Sequence, residues 1–207
     1  MATPENMLTN PGFEDDFLAW QVWTPDPTTG QIVVDTVDFF SGTKSAKFTM
    51  NGGRGSIGQS ISKDRLVAGA KYKVRLVYKS DFTVGGLAVY VYFRATDGTV
   101  MRYERIMLSP SAAWTQTDWL EATAPIGDEW NTFASFQIMI TTGTGVTGSA
   151  NIDDVEFVPV TVVTITFQST PIAVTATLDG TTVPSGQAVQ VQQGAIVTVT
   201  VPQEVAA

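Results

Sequence analysis

The strongest constraint on the fold is a period-two alternation of apolar and polar residues in the middle of the chain. From Tyr72 to Lys79, apolar and aromatic residues largely alternate with lysine and arginine, and Leu87–Arg94 and Thr132–Thr141 alternate as well. Successive side chains of a β-strand point to opposite faces, so each segment is predicted to be a half-buried strand. The predicted core faces are Tyr72, Val74, Leu76 and Tyr78, then Leu87, Val89, Val91 and Phe93, then Phe136, Ile138 and Ile140.

Turn residues separate these and other short strand-like runs. Asn51-Gly52-Gly53 predicts a hairpin-type break, and Asp97-Gly98 predicts a hairpin leading into Val100–Leu108. No segment shows sustained helical periodicity. The pattern therefore predicts an all-β fold, an antiparallel β-sandwich.

The composition changes after Pro159 and indicates a second, smaller domain. Residues 160–207 are rich in Val and Thr, with one aromatic residue, Phe167, and two charged residues, Asp179 and Glu204. We therefore predict domains at 1–159 and 160–207, the second a small β-sandwich-like (Ig-like) module. Such a short module buries little core alone, so we expect it to pack against the first domain or another chain. Its strands are predicted at Thr161–Phe167, Ile172–Leu178, Ala188–Gln192 and Ile196–Val201.

Missing residue types exclude several kinds of chemistry. The chain has no Cys and no His, which excludes Ser-His-Asp triads, Cys–His pairs and zinc sites built on these residues. No apolar run approaches the ~20 residues of a membrane span. The first residues lack the basic and apolar regions of a signal peptide. Acid chemistry by two carboxylates and metals with oxygen ligands remain open.

Charge is unevenly distributed along the chain. The net charge of −8 argues against nucleic-acid binding. All 12 Lys and Arg residues lie between Lys44 and Arg105, whereas most acidic residues lie outside this segment. Two interpretations stay open: surface salt bridges between segments, or a basic face on the central strands that suits an acidic ligand or a neighbouring subunit.

Acidic residues occur at both ends of the first domain. A strand-like run at the start ends in Glu14, and another at the end contains Asp153 and Asp154. A β-sandwich often brings its first and last strands together, and clustered carboxylates repel each other unless a cation is present. Strict alternation places Asp153 on the face of Val155 and Phe157, so we expect it to point inward and to need a partner.

An ordered set of short motifs spans residues 6–158. The motifs are Asn10-Pro11-Gly12-Phe13-Glu14 followed by Trp20 and Trp23, the turn Ser41–Ala46, Gln59-Ser60-Ile61 with Gly69 and Tyr72, Trp114, and Ile152-Asp153-Asp154-Val155. In this order they resemble the β-jelly-roll carbohydrate-binding modules of families 4 and 9. The resemblance implies a jelly-roll fold, which is reused for many functions.

The resemblance also implies a structural Ca²⁺ ion. In the family, the glutamate of the opening motif, main-chain oxygens near the Ser-Gly turn and an aspartate of the closing strand hold the ion. The matching positions are Glu14, the backbone of Thr43 and Lys44, and Asp153 or Asp154. Ca²⁺ takes about 6–8 oxygen ligands, which carboxylates and carbonyls supply. The alternative is that these acids are solvated at the strand ends.

A sugar groove on the concave sheet is the second implication of the resemblance. Aromatic rings stack on the C–H groups of a sugar, while amides and charged groups fix its hydroxyls. The matching positions are Tyr90, Tyr92, Arg94, Arg75, Lys79 and Gln137, with Trp20 and Trp23 where the family sometimes lines its groove. The alternative is that these side chains support a cover from the C-terminal module or another chain.

Three functions are compatible with these features. The first is a non-catalytic protein that binds a polysaccharide or cell-surface glycan. The second is a structural or decoration protein of a phage virion that contacts other subunits through residues 160–207; an initial Met without a signal peptide favours it. Both place the protein at a virion surface or outside the cell, without nucleic-acid or membrane partners. The third, a two-carboxylate glycoside hydrolase, rests only on the acids, and we predict that the chain is not an enzyme.

Overall fold

The computed structural model of the chain divides it into two compact units, Met1–Pro159 and Val160–Ala207. It describes residues 5–82 and 86–160 and, beyond them, residue ranges 162–166, 175–178, 181–184, 188–192 and 199–200. In chain order the strands of the first unit are β1 (Gln21–Trp23), β2 (Gly30–Asp35), β3 (Ser45–Asn51), β4 (Ser56–Ser62), β5 (Lys71–Ser80), β6 (Leu87–Ala95), β7 (Val100–Leu108), β8 (Ser111–Gln116), β9 (Leu120–Thr123), β10 (Phe133–Thr142) and β11 (Thr147–Pro159).

These strands form two antiparallel sheets. The first sheet has the order β1-β4-β10-β6-β7, and the second has the order β2-β3-β11-β5-β8, with β9 also paired to β5. The buried side chains of both sheets form one hydrophobic core between them. The predicted antiparallel β-sandwich is confirmed.

The core consists of the alternating positions that the sequence indicates. The predicted inward residues of β5, β6 and β10 are all buried. Aromatic rings fill the centre, where Phe136 packs edge-on against Tyr72, Phe93 and Phe157. Burial of one such ring contributes roughly 1.5–3 kcal/mol to folding. The side chains that alternate with these are therefore left on the outer faces of the sheets.

Of the two predicted turns, one is confirmed and one is wrong. Asp97-Gly98 joins β6 to β7 in an antiparallel pair, with Gly98 at φ +83°, a conformation that glycine adopts without strain. Asn51-Gly52-Gly53 does not form a hairpin, because β3 and β4 belong to different sheets. It is a crossing between sheets, anchored by N–H groups of Asn51 and Gly53 that donate to the carbonyl of Thr29.

Helical structure in the described residues is limited to a 3-10 turn at Lys63–Arg65 and a short helix, α1, at Gly127–Thr132. The acidic pair Asp128-Glu129 lies in α1, where Glu129 pairs with Arg102. In the part of the chain described here, no helix has the length and apolar character needed to span a membrane.

Ion pairs link the basic central segment to acidic residues elsewhere, as the first interpretation of the charge pattern predicts. Six of the basic side chains form such pairs with acids in the described ranges. The pairs are Lys44–Asp16, Lys47–Asp35, Lys71–Glu121, Arg75–Glu156, Lys79–Asp38 and Arg102–Glu129.

The second unit contains five described strands in two small antiparallel sheets. The strands are β12 (Val162–Thr166), β13 (Thr175–Leu178), β14 (Thr181–Pro184), β15 (Ala188–Gln192) and β16 (Val199–Thr200). β12 pairs with β15, and β13 lies between β14 and β16. The sequence did not predict β14. Parts of the predicted strands, residues 161, 167, 172–174, 196–198 and 201, lie outside the described residues.

Candidate functional site

A groove of about 590 Å³ lies on the outer face of the first sheet. Its volume is within the range of roughly 300–1,000 Å³ that is typical of ligand sites. It is lined by Gln21, Trp23, Arg54, Ser56, Gly58, Tyr90, Tyr92, Gln137, Met139, Thr141, Thr142, Gly143 and Thr144. We call this surface the groove.

Strand register places the groove residues in rows across the sheet. Gln21 pairs with Gly58, Gly58 with Met139, and Met139 with Tyr90. β1, which carries Trp23, and β6, which carries Tyr90 and Tyr92, are three strand spacings apart in the sheet. Their backbones are therefore about 14 Å apart. The glycine keeps the floor low, since a Cβ at Gly58 would lie 3.1 Å from a backbone carbonyl of β10.

One wall of the groove is a cluster of three tyrosines. Tyr90 and Tyr92 stack with ring centroids 5.2 Å apart and planes 3° from parallel. Tyr103 of β7 packs edge-on against both rings and is 49% exposed. Alternation on β6 and β7 directs all three side chains to the same face. The cluster offers apolar ring surface edged with hydroxyls.

Arginine and glutamine side chains hold the tyrosine wall in place. Arg94 lies 5.3 Å from the ring centroid of Tyr92 and donates two hydrogen bonds, of 2.9 and 2.7 Å, to the side-chain oxygen of Gln137. Arg105 lies opposite Tyr90 in the register of β7 against β6, and its interaction with Tyr90 raises the pKa of Arg105. Burial raises the pKa of Tyr92, so its hydroxyl stays neutral at physiological pH and is free to donate.

The opposite wall is built from Trp23 and Arg54. The guanidinium carbon of Arg54 lies 5.0 Å from the ring centroid of Trp23, a cation–π contact. Trp23 is 47% exposed, whereas Trp20, three residues earlier, is 5% exposed. The indole N–H of Trp20 donates to the carbonyl of Asn10, and its ring packs on Phe13. Of the two tryptophans, only Trp23 lines the groove.

The structure brings some predicted ligand residues together and separates others. Tyr90, Tyr92, Gln137 and Trp23 line the groove, and Arg94 borders it. The prediction that Arg75 and Lys79 belong with them is wrong, because β5 is in the second sheet. There Arg75 pairs with Glu156 and stacks on Trp119, while Lys79 pairs with Asp38 and lies beside Trp114.

Several groove residues were not found from the sequence. Arg54 and the segment 142–144 are contributed by loops or a strand end, so no alternation pattern marks them. Tyr103, Arg105 and Met139 lie on strands whose neighbours were unknown. Alternation indicates that these side chains point outward on β7 and β10. Only the strand order shows that these strands lie beside β6 and β4.

The predicted metal ligands surround the loop at residues 40–44. One carboxylate oxygen of Glu14 accepts from the N–H of Thr43 at 2.9 Å and of Lys44 at 3.2 Å, and the other accepts from the Thr43 hydroxyl. Asp153 accepts from the N–H groups of Phe40 and Ser41, and Asp154 accepts from the Ser41 hydroxyl. We call Glu14, Asp153 and Asp154 the carboxylate cluster.

Opposite electrostatic effects act within the carboxylate cluster. Hydrogen bonds, first of all that from the Thr43 hydroxyl, lower the pKa of Glu14. Burial raises the pKa of Asp153, which is fully enclosed, against the lowering effect of its backbone N–H donors. Within the described residues, no group of three or more acids is arranged to hold a metal ion. Thr43 and Lys44 present N–H groups rather than carbonyl oxygens to Glu14.

The face on which Asp153 lies differs from the prediction. Asp154 has φ +44°, and the register of β11 against β5 shifts between Asp153 and Glu156. This bulge inserts a residue, so Val155 does not share the face of Asp153. Asp153 is enclosed by the loop at residues 40–44 instead of by the core between the sheets.

Comparison with known proteins gives similarity at the level of structure. No protein-family model and no curated protein matches the sequence. The chain is similar to a carbohydrate-binding module, TmCBM61, solved in complex with beta-1,4-galactotriose (TM-score 0.50, 19% identity, 75% of this chain and 99% of that chain). The first unit shares its β-sandwich fold with carbohydrate-binding modules. At this identity the likeness shows the fold alone.

Two other solved structures with the same fold are a phage tailspike domain and a cyclase. One is the enzymatically active domain of tailspike protein 4 of bacteriophage CBA120 (TM-score 0.58, 9% identity, 75% of this chain). The match spans 21% of that chain. The other is a cyclase from Fischerella sp. TAU (TM-score 0.60, 13% identity, 76% of this chain and 98% of that chain). The fold therefore occurs with several functions, and the groove itself must carry the functional argument.

Proposed function

We propose that the groove binds a glycan without altering it chemically. The observation that carries this proposal is the stacked pair Tyr90–Tyr92 facing Trp23 across an open groove with a low floor. Aromatic rings provide apolar surface for the C–H faces of sugars, and Gln21, Gln137 and the tyrosine hydroxyls provide hydrogen-bonding groups. The sugar complex of a carbohydrate-binding module with this fold supports the proposal.

The chemistry of the groove favours binding over catalysis. Glycoside hydrolysis usually uses two carboxyl groups about 5–10 Å apart on either side of the bond that is cleaved. The groove-lining residues that the structure describes include no Asp or Glu. The acidic pair Asp128-Glu129 lies in α1, outside the groove.

For the biological setting, we propose that the protein is displayed on a phage virion and adheres to glycans on a host surface. The fold shared with part of a phage tailspike supports this setting. The alternative is a decoration protein that uses the same sandwich for assembly and binds no sugar. Capsid and tail genes beside the coding sequence are expected on the virion proposal, whereas neighbouring genes for polysaccharide-degrading enzymes would contradict it.

We further propose that Ca²⁺ stabilises the first unit at the carboxylate cluster. The support is the convergence of three acids on one loop, with Asp153 fully buried and contacted by no basic side chain among the described residues. No three acids among the described residues are arranged around a metal as they stand, so Glu14, Asp153 and Asp154 would have to move closer together to hold the ion, which would neutralise their mutual repulsion. Binding at Glu14 would replace its hydrogen bonds to Thr43 and Lys44.

Glycan-array binding of the wild-type protein and of Tyr90→Ala and Tyr92→Ala tests the proposed function. We expect the wild type to bind a restricted set of saccharides and both variants to lose that binding. Phe40→Ala is a matched control, because Phe40 is an exposed aromatic residue outside the groove that packs on Trp114. Retention of binding in the tyrosine variants, or no saccharide binding together with ordered multimers, contradicts the proposal and favours the decoration role.

A further inference from the structure

Building on the proposed glycan binding, we infer that the groove takes an acidic saccharide, a chain whose sugar rings carry carboxylate groups. Three arginines surround the aromatic walls. Arg54 lies over Trp23, Arg94 lies beside Tyr92, and Arg105 lies opposite Tyr90 on the neighbouring strand. Each positive charge therefore lies close to a ring on which a sugar would stack.

Among the described residues, these arginines differ from most other basic side chains in forming no ion pair with an acid. Within the described part of the chain, six of the 12 basic residues form ion pairs, with partners on the second sheet, in loops or in α1. Among the described residues, no carboxylate forms an ion pair with Arg54, Arg94 or Arg105. Asp97, the acid closest in sequence to Arg94, accepts hydrogen bonds from the N–H and the hydroxyl of Thr99.

The strands of the first sheet carry almost no negative charge. Across β1, β4, β10, β6 and β7 there is one acid, Glu104. Glu104 pairs with Val91, whose side chain is buried in the core, whereas Tyr103 and Arg105 pair with Tyr92 and Tyr90. Alternation therefore directs Glu104 away from the groove face. The face has positive groups and no negative group from its own strands.

This local positive charge exists in a protein whose net charge is −8. At physiological ionic strength, exposed charges more than about 8 Å apart are largely screened, so a ligand in the groove responds mainly to the nearby arginines. The second interpretation of the charge pattern, a basic face for an acidic ligand, thus applies to this surface. Its arginines partly come from the predicted central strands and partly from Arg54 in a loop.

Arginine is well suited to a carboxylate on a sugar ring. Its planar guanidinium donates two parallel hydrogen bonds to a carboxylate and also stacks on aromatic faces. Arg94 is already oriented, because it donates to Gln137 and to the carbonyl of Gly98. A ligand carboxylate therefore meets a donor that loses little conformational freedom on binding.

Affinity electrophoresis of the whole chain in 150 mM salt tests this inference. The probes are polygalacturonate, alginate and hyaluronate, each beside the neutral polymer made by reducing its carboxylates to alcohols, together with galactan and dextran. We expect retardation by at least one acidic polymer and its loss after carboxyl reduction. Arg54→Gln, Arg94→Gln and Arg105→Gln should each weaken retardation by about tenfold, the effect of one charged hydrogen bond. Arg65→Gln, the same charge change outside the groove, should have no effect.

The outcomes separate this inference from the proposed function. Retardation by a neutral polymer that is lost in Tyr90→Ala but unchanged in the arginine variants overturns the acidic ligand and leaves glycan binding intact. Equal weakening by Arg65→Gln shows non-specific attraction and also overturns it. If neither the acidic nor the neutral polymers retard the protein, both the acidic ligand and the proposed glycan binding are contradicted.

Discussion

Tyr90 and Tyr92 stand side by side on β6 with ring planes only 3° from parallel. The far side of Tyr92 is bordered by Arg94, whereas the residue two positions before Tyr90 on the same side of the strand is Ala88, which carries only a methyl group. The pair lines the groove together with Met139 and Thr141.

Removing the ring of Tyr90 should weaken saccharide binding by about tenfold or more, because the stacking area of the ring is lost together with the hydroxyl. Tyr90→Phe retains the ring and should recover most of the affinity. Titration calorimetry with a saccharide identified on an array measures both. Equal loss in Tyr90→Phe and Tyr90→Ala would show that the hydroxyl, not the ring face, dominates.

Arg75→Ala should destabilise the fold and leave saccharide affinity unchanged. Arg75 makes a two-pronged pair with Glu156 and stacks on Trp119 on the second sheet. Because both partners are partly exposed, we expect a loss of about 1 kcal/mol in the free energy of unfolding. Urea unfolding measures the change in stability, and titration calorimetry on the same sample measures the saccharide affinity. A clear fall in affinity would contradict the assignment of the groove to the first sheet.

Part of this site follows from sequence alone, and part requires the folded chain. Alternation identified Tyr90, Tyr92 and Arg94 as outward on one strand, and also Arg75 and Lys79 on another. Alternation tells which face of its own strand a residue occupies, but not which sheet that strand joins. That is why Arg75 and Lys79 were grouped with the tyrosines although β5 and β6 lie in opposite sheets.

Sequence periodicity does not show where residues of loops and β-bulges lie in the fold. Arg54 reaches Trp23 only because the crossing after β3 delivers it to the edge of the first sheet. Asp153 was expected to be buried and is buried, but the bulge at Asp154 places it on the other face. Backbone irregularities of this kind depend on packing against neighbouring strands, which a single sequence does not display.

Asp35 should make stability depend on acidity. Burial opposes its ionisation, but hydrogen bonds from Val37, Asn151, Lys47 and Asp38 outweigh that effect and lower its pKa to about 2. A carboxyl whose pKa is lower in the folded state stabilises the fold above its unfolded value near 3.8 and loses this contribution as pH falls from about 4 to 2. With Lys47 38% exposed, we expect about 1 kcal/mol.

Urea unfolding of the wild type and of Asp35→Asn at pH 6 and pH 2.5 measures this contribution. The difference in free energy of unfolding between the two proteins should be present at pH 6 and should shrink at pH 2.5. Asp64→Asn, a charge change on the short 3-10 turn, is the comparison variant. A difference that is the same at both pH values would contradict the role of the ionised Asp35.

Removal of calcium should lower the melting temperature by several degrees, roughly 1 kcal/mol for a domain of this size, if the carboxylate cluster holds the ion. Melting scans in EDTA and in millimolar CaCl₂ measure it. Glu14→Gln and Asp153→Asn should remove the difference. Asp26→Asn, an exposed acid that bonds to Thr28, should leave it unchanged. An identical melting temperature in EDTA and CaCl₂ would remove the calcium proposal.

The most direct test of glycan binding in the groove uses the indole N–H signals of the five tryptophans in an NMR titration with an array-identified saccharide. Trp23 lines the groove, Trp20 is buried, and Trp114 and Trp119 contact basic residues of the second sheet. Glycan binding in the groove predicts a saturable shift of the Trp23 signal with the other four signals unchanged. Shifts of Trp114 or Trp119 without a shift of Trp23 would contradict it.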